Sequence, residues 1–168
     1  MFIRSVFALG AAAALSACAA SNPADKKFLT YNGPEVTSVY IDKSDRAMYL
    51  LHNEEVLKTY QFGLGFAPEG HKEFEGDGRT PEGGYWIDWH NPNSNYHLSL
   101  RVSYPNPTDM ARAASMGRSP GGNIFIHGTP TGVDSTSDWT AGCIAVTNEE
   151  IEEIYAMVKA PTPIYIMP

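Results

Sequence analysis

From Val36 to Gly63 the chain runs as short stretches of β-branched and aromatic residues separated by turn residues. Val36 to Ile41, Ala47 to His52 and Glu55 to Gly63 read as three strands. Lys43 to Arg46 and Asn53-Glu54 read as the turns between them. A chain built this way cannot become a helical bundle. The glycine- and proline-rich stretch from Gly65 to Gly84 reads as a long loop. Tyr85 to Trp89, His97 to Ser103, Ile124 to Ile126, Gly142 to Val146 and Ile164 to Ile166 supply further strands, the last closing a sheet edge. Thr108 to Met116 fits a short helix with Thr108 as its N-cap. One helix is clear: Thr147 and Glu150 form a capping-box pair, and Ile151, Ile154, Tyr155 and Val158 share a face. It runs to about Lys159, where Pro161 and Pro163 prevent continuation. The expected architecture is mostly β, a sandwich or open barrel with one α-helix in the C-terminal half.

At 168 residues the chain holds one domain. Its formal charge of −7 argues against a nucleic-acid partner, because phosphate binding needs a basic face. Residues 1–17 have the form of an export signal, with Arg4 ahead of an uncharged run from Val6 to Leu15 that is too short to span a bilayer. Leu15-Ser16-Ala17-Cys18 resembles a bacterial lipobox. That resemblance implies cleavage before Cys18, lipidation of Cys18 and a membrane-anchored, periplasm-facing protein, at the outer membrane if the source has one. An ordinary signal-peptidase site at Ala17-Cys18-Ala19 is the alternative. Residues 18–34 then read as the lipidated cysteine and its tether, and residues 35–168 as the folded domain.

Cys143 is the second of two cysteines. With Cys18 lipidated it has no disulfide partner in the chain, so it is either reactive or buried and inert. His127 ends one expected strand, and Cys143 lies sixteen residues on, in Thr140-Ala141-Gly142-Cys143-Ile144. Strand ends side by side would let the imidazole take the thiol proton and produce a nucleophile. The N–H groups of Gly142 and Cys143 would then stabilise an oxyanion. By themselves these residues equally fit a small core thiol and a structural histidine.

Their surroundings add a family likeness. His127-Gly128 and Gly142-Cys143-Ile144, with Gly76-Asp-Gly-Arg-Thr-Pro-Glu-Gly83 and Ser103-Tyr-Pro-Asn106, resemble the catalytic domain of YkuD-type L,D-transpeptidases. The resemblance spans about Thr37 to Met167. It implies Cys143 as nucleophile, His127 as its base and the Gly128 carbonyl as the group that orients the imidazole. It further implies peptidoglycan stem peptides as substrate, an amine-bearing peptide or protein as acceptor, and neither metal nor cofactor. Ala141 and Ala145 stand where the commoner family motif has histidine and arginine. A thiol hydrolase of the same fold, L,D-carboxypeptidase or amidase, is the alternative activity. A non-catalytic peptidoglycan-binding lipoprotein is the alternative outside enzymes.

Arg79, Tyr96, Ser103, Trp139 and Thr140 are the candidate substrate contacts. His90 and His97 with Asp88 match no strong zinc spacing. Asp134, Ser135, Ser137 and Asp138 read as a solvated loop, with a lid as the second reading.

Overall fold

The computed structural model describes residues 27–168. The signal sequence, Cys18 and part of the expected tether lie outside them. Eight strands and two helices follow in chain order: β1 Ser38–Asp42, β2 Ala47–His52, β3 Glu55–Gln61, β4 Gly83–Asn91, β5 Ser99–Val102, α1 Pro107–Ser115, β6 Phe125–His127, β7 Ile144–Ala145, α2 Asn148–Met157 and β8 Thr162–Met167. All eight strands form one sheet in the order β3-β2-β1-β8-β4-β5-β6-β7.

That sheet curls until its two edges meet. Gly63, just past β3, exchanges two backbone hydrogen bonds with Ala145 of β7, each 2.9 Å. Close approach here requires glycine: a Cβ on Gly63 would lie 2.1 Å from the Ser137 carbonyl oxygen. The result is an open half-barrel, so the barrel half of the expectation holds and the two-sheet sandwich does not. A second bridge joins Gly65 to Thr140, so the segment after β3 lies along the β7 edge.

The concave side is filled by alternating residues. Val39 and Ile41 of β1, Ile87 of β4, Leu100 of β5, Ile126 of β6 and Ile164 and Ile166 of β8 are all fully buried. Helix α2 lays Ile151, Ile154 and Met157 onto this core. Each such side chain contributes about 1.5–3 kcal/mol of burial. Its capping box forms as expected: Glu150 N–H donates to Thr147 Oγ1 at 3.1 Å, and Thr147 N–H donates to the Glu150 carboxylate at 2.8 Å. The helix stops at Met157, two residues short of Lys159.

Three expectations need correction. Strand β8 is interior, parallel to β1 and antiparallel to β4; alternation marks a strand but not its neighbours. The short helix read over Thr108–Met116 forms as α1, so two helices stand where the fold was expected to have one in the C-terminal half. The N-cap of α1 is Asn106, not Thr108. Asn106 Oδ1 accepts the N–H groups of Thr108 and Asp109 at 2.9 and 3.0 Å, and Pro107 fills the first helical position. No helix among the described residues is long and apolar enough to cross a membrane.

Candidate active site

His127 is the last residue of β6, and Cys143 immediately precedes β7. These strands run parallel, with His127 opposite Ala145. Side chains two residues apart share a face of a sheet. Phe125, His127 and Cys143 therefore project to the same side, and all three line one cavity of about 260 Å³. Asn91, Ser94, Asn95, Tyr96, Ser99 and Asn123 complete its lining.

The imidazole is held on three sides. Nδ1 lies 2.7 Å from the Gly128 carbonyl oxygen. A carbonyl only accepts, so Nδ1 carries the proton and Nε2 keeps its lone pair. Tyr96 stacks on the ring with centroids 4.5 Å apart, and Trp139 meets it edge-on at 5.6 Å. Burial pulls the His127 pKa below its ordinary value, opposed by the bond to Gly128.

Gly128 must be glycine. A Cβ there would fall 2.3 Å from Asn148 Oδ1 and 2.9 Å from the Tyr96 carbonyl oxygen. Its N–H donates to that same Tyr96 carbonyl at 3.0 Å, which ties the residue orienting the imidazole to the residue stacked on it.

Cys143 is half-buried, and its thiol donates to the Asn123 carbonyl at 3.4 Å. Burial raises its pKa, against the Phe125 N–H and the charge of Lys72, which favour thiolate. Both shifts favour the uncharged forms, neutral thiol and neutral imidazole.

The turn before Cys143 is closed by Thr140. Its Oγ1 accepts Gly142 N–H at 3.1 Å and donates to the Cys143 carbonyl at 2.8 Å. Gly142 N–H is therefore already engaged by Thr140. Gly142 adopts φ +127°, and a Cβ there would lie 2.5 Å from the Arg79 carbonyl oxygen.

Of the five candidate substrate contacts, only Tyr96 lines the cavity. Trp139 packs behind the imidazole, and Thr140 builds the turn. Arg79 lies outside, its guanidinium paired with Glu73 at 3.3 Å. Ser103 is also outside, its hydroxyl accepting Trp86 N–H at 3.0 Å. His90 bonds the Val158 carbonyl at 2.8 Å, and His97 pairs with Glu152 at 2.6 Å. The segment from Asp134 to Asp138 is anchored at its end. Asp138 pairs with Arg46 and accepts Leu64 N–H at 3.1 Å.

Asn91, Ser94, Asn95, Ser99, Asn123 and Phe125 went unrecognised in the sequence. Ser99 and Asn91 reach the cavity through register, because Asn91 pairs with Ser99 and Ser99 with His127. Asn123 carried a signal of its own. It follows Gly121-Gly122 and sits at φ 56°, a conformation asparagine tolerates better than most residues.

A single curled sheet that presents a cysteine and an oriented histidine in one cavity is the arrangement of an L,D-transpeptidase catalytic domain. Residues 37–166 match the model of that family, YkuD, and the chain belongs to it. Among its relatives is YafK of Escherichia coli K12, whose name assigns it only provisionally to the L,D-transpeptidases. It is 26% identical over 150 residues, covering 86% of this chain and 56% of YafK. The structure of Pgp2 from Campylobacter jejuni, described as a helical cell shape determining protein, superposes with TM-score 0.62 at 26% identity. That match covers 85% of this chain and 53% of Pgp2. An L,D-transpeptidase from Mycobacterium smegmatis shares the fold at TM-score 0.54 and 15% identity, over 79% of this chain and 59% of that one. The chain thus spans little more than half the length of the first two relatives.

Proposed function

We propose that this protein is an exported, cysteine-dependent L,D-transpeptidase acting on peptidoglycan stem peptides. The observation that carries the reading is the shared cavity of Cys143 and His127, with Nδ1 tied to Gly128 so that Nε2 is free to accept a proton.

In this reading Cys143 Sγ attacks the carbonyl at the L-centre of a diamino-acid residue that precedes a terminal D-alanine. The thiol proton passes to His127 Nε2 as the Sγ–C bond forms, since neither group is charged beforehand. Cys143 N–H receives the developing oxyanion. His127 then protonates the departing nitrogen, the C–N bond breaks, and a thioester remains on Cys143. An amine resolves it into a cross-link or an attached protein; water resolves it into a shortened stem.

The N-terminal segment completes the proposal. Residues 1–17 direct export, Cys18 is lipidated and anchors the protein at a membrane facing the periplasm, probing of which by lipid labelling is direct, and residues 18–34 tether the domain of residues 35–168.

The test is incubation of the purified protein with tetrapeptide muropeptides, followed by mass spectrometry. A dimer lacking one D-alanine is the expected product. A bare tripeptide would assign the hydrolase activity instead. No product from wild type, matching Cys143→Ala, would remove both for that substrate.

A further inference from the structure

The peptide unit joining Gly142 to Cys143 is held from beneath by the Gly76–Gly83 loop. Thr80 of that loop is fully buried, and its hydroxyl donates to the Gly142 carbonyl at 2.9 Å. Thr80 is itself fixed. Lys43, 5% exposed, donates through Nζ to the Thr80 carbonyl at 3.4 Å and to the Gly70 carbonyl at 2.7 Å, and pairs with Glu82 at 2.6 Å.

Gly142 and Cys143 carry four backbone polar groups between them. Thr140 holds Gly142 N–H and the Cys143 carbonyl, and Thr80 holds the Gly142 carbonyl. The fourth is Cys143 N–H. This peptide bond is trans, so its C=O and N–H point in opposite directions. Fixing the carbonyl on Thr80 fixes the amide. With the carbonyl on Thr80, the amide points away from Thr80's side of the turn, and Thr80 itself is not among the residues lining the cavity.

We infer that Thr80 is a positioning residue whose hydroxyl aims Cys143 N–H at the oxyanion formed when Cys143 attacks a carbonyl. This rests on the reading of Cys143 as the nucleophile. In the step concerned the Sγ–C bond forms, the carbonyl π pair moves onto oxygen, and the thiol proton goes to His127 Nε2. Cys143 N–H donates to the new oxyanion. Thr80 touches none of the reacting atoms.

Two reagents separate aiming from general support of the site. p-Nitrophenyl acetate acylates Cys143 through an oxyanion. Iodoacetamide alkylates it by displacing iodide, with no oxyanion formed. For Thr80→Val, which keeps the β-branched shape, acylation should fall about 10–100-fold, up to the loss seen when one oxyanion donor is removed. Alkylation should stay within about twofold. Thr80→Ser should restore most of the acylation rate. Thr80→Ala is a second hydroxyl-free variant if the valine form does not fold, and the ratio of the two rates is the readout. Equal loss in both reactions, or loss in neither, overturns the inference. Absence of acylation in wild type would overturn the nucleophile reading, and the inference with it.

Discussion

Tyr96 lies nearly flat on the His127 imidazole, with ring centroids 4.5 Å apart and planes inclined by 23°. The Tyr96 carbonyl also accepts Gly128 N–H, so one residue controls both the environment of the ring and the backbone that orients it. Stacking of this kind contributes about 0.5–1.5 kcal/mol. Tyr96→Ala should open the imidazole to water and lower acylation roughly 3–10-fold. It should also move the acid midpoint of activity upward, toward an ordinary histidine. Tyr96→Phe keeps the stack and should remain close to wild type. Acylation rates measured against pH for both variants check this.

The neutral resting pair sets a pH dependence. His127 is held below its ordinary value of 6.5 by burial. Its basic form therefore persists below pH 6.5, and activity should fall only as pH drops through that lower folded value. Stability follows the same sign: the unfolded chain takes up the proton first, so folding weakens as pH falls below 6.5. The Cys143 thiol is held above 9.0 by burial. In His127→Ala, iodoacetamide alkylation should rise along a curve whose midpoint lies above pH 9.0. A midpoint below that value would contradict the upward shift, and only one below neutral pH would show a thiolate favoured at rest.

Gly128→Ala tests the backbone that orients the base. The added methyl would collide with Asn148 Oδ1 and the Tyr96 carbonyl. Relieving both shifts the segment that carries the His127 acceptor. Destabilisation of about 1–3 kcal/mol is expected, several degrees in Tm, together with loss of acylation. Thermal unfolding and acylation measured on one preparation show whether the two effects appear together.

Asp138 connects the loop before the nucleophile to the start of the domain. Its pairing with Arg46 holds its carboxyl below the ordinary 3.8, and it also accepts Leu64 N–H. Asp138→Asn should cost about 1 kcal/mol at pH 7. The folded-state pKa is depressed, so this stabilisation is present above 3.8 and is lost as pH falls through the lower folded value. Wild type and variant should converge in acid, as denaturant titrations at pH 7 and pH 3 would show.

What the sequence made legible was local. β2 has the predicted bounds, because alternation and flanking turns are properties of neighbouring residues. The Thr147–Glu150 capping box formed for the same reason. His127 and Cys143, which alone fit a core thiol and a structural histidine equally well, stood out through the family-like motifs around them. The misses were relations between distant segments. Nothing within Thr162–Met167 specifies that it lies between β1 and β4. Asn91 and Ser99 reach the cavity only through register with His127. Arg79 was expected at the substrate, yet it is the carbonyl of Arg79 and the hydroxyl of Thr80 that meet Gly142. A backbone contact across sixty residues leaves no mark on side-chain patterning.

The central claim is that Cys143 forms an acyl-enzyme with a stem peptide. Intact-protein mass spectrometry during turnover of a tetrapeptide stem tests it most directly. The account predicts a mass increase equal to the stem minus free D-alanine, whose nitrogen carries away the thiol hydrogen, localised to Cys143 by digestion and absent in Cys143→Ala. Turnover by Cys143→Ala at the wild-type rate, with no adduct on the wild-type thiol, would contradict it.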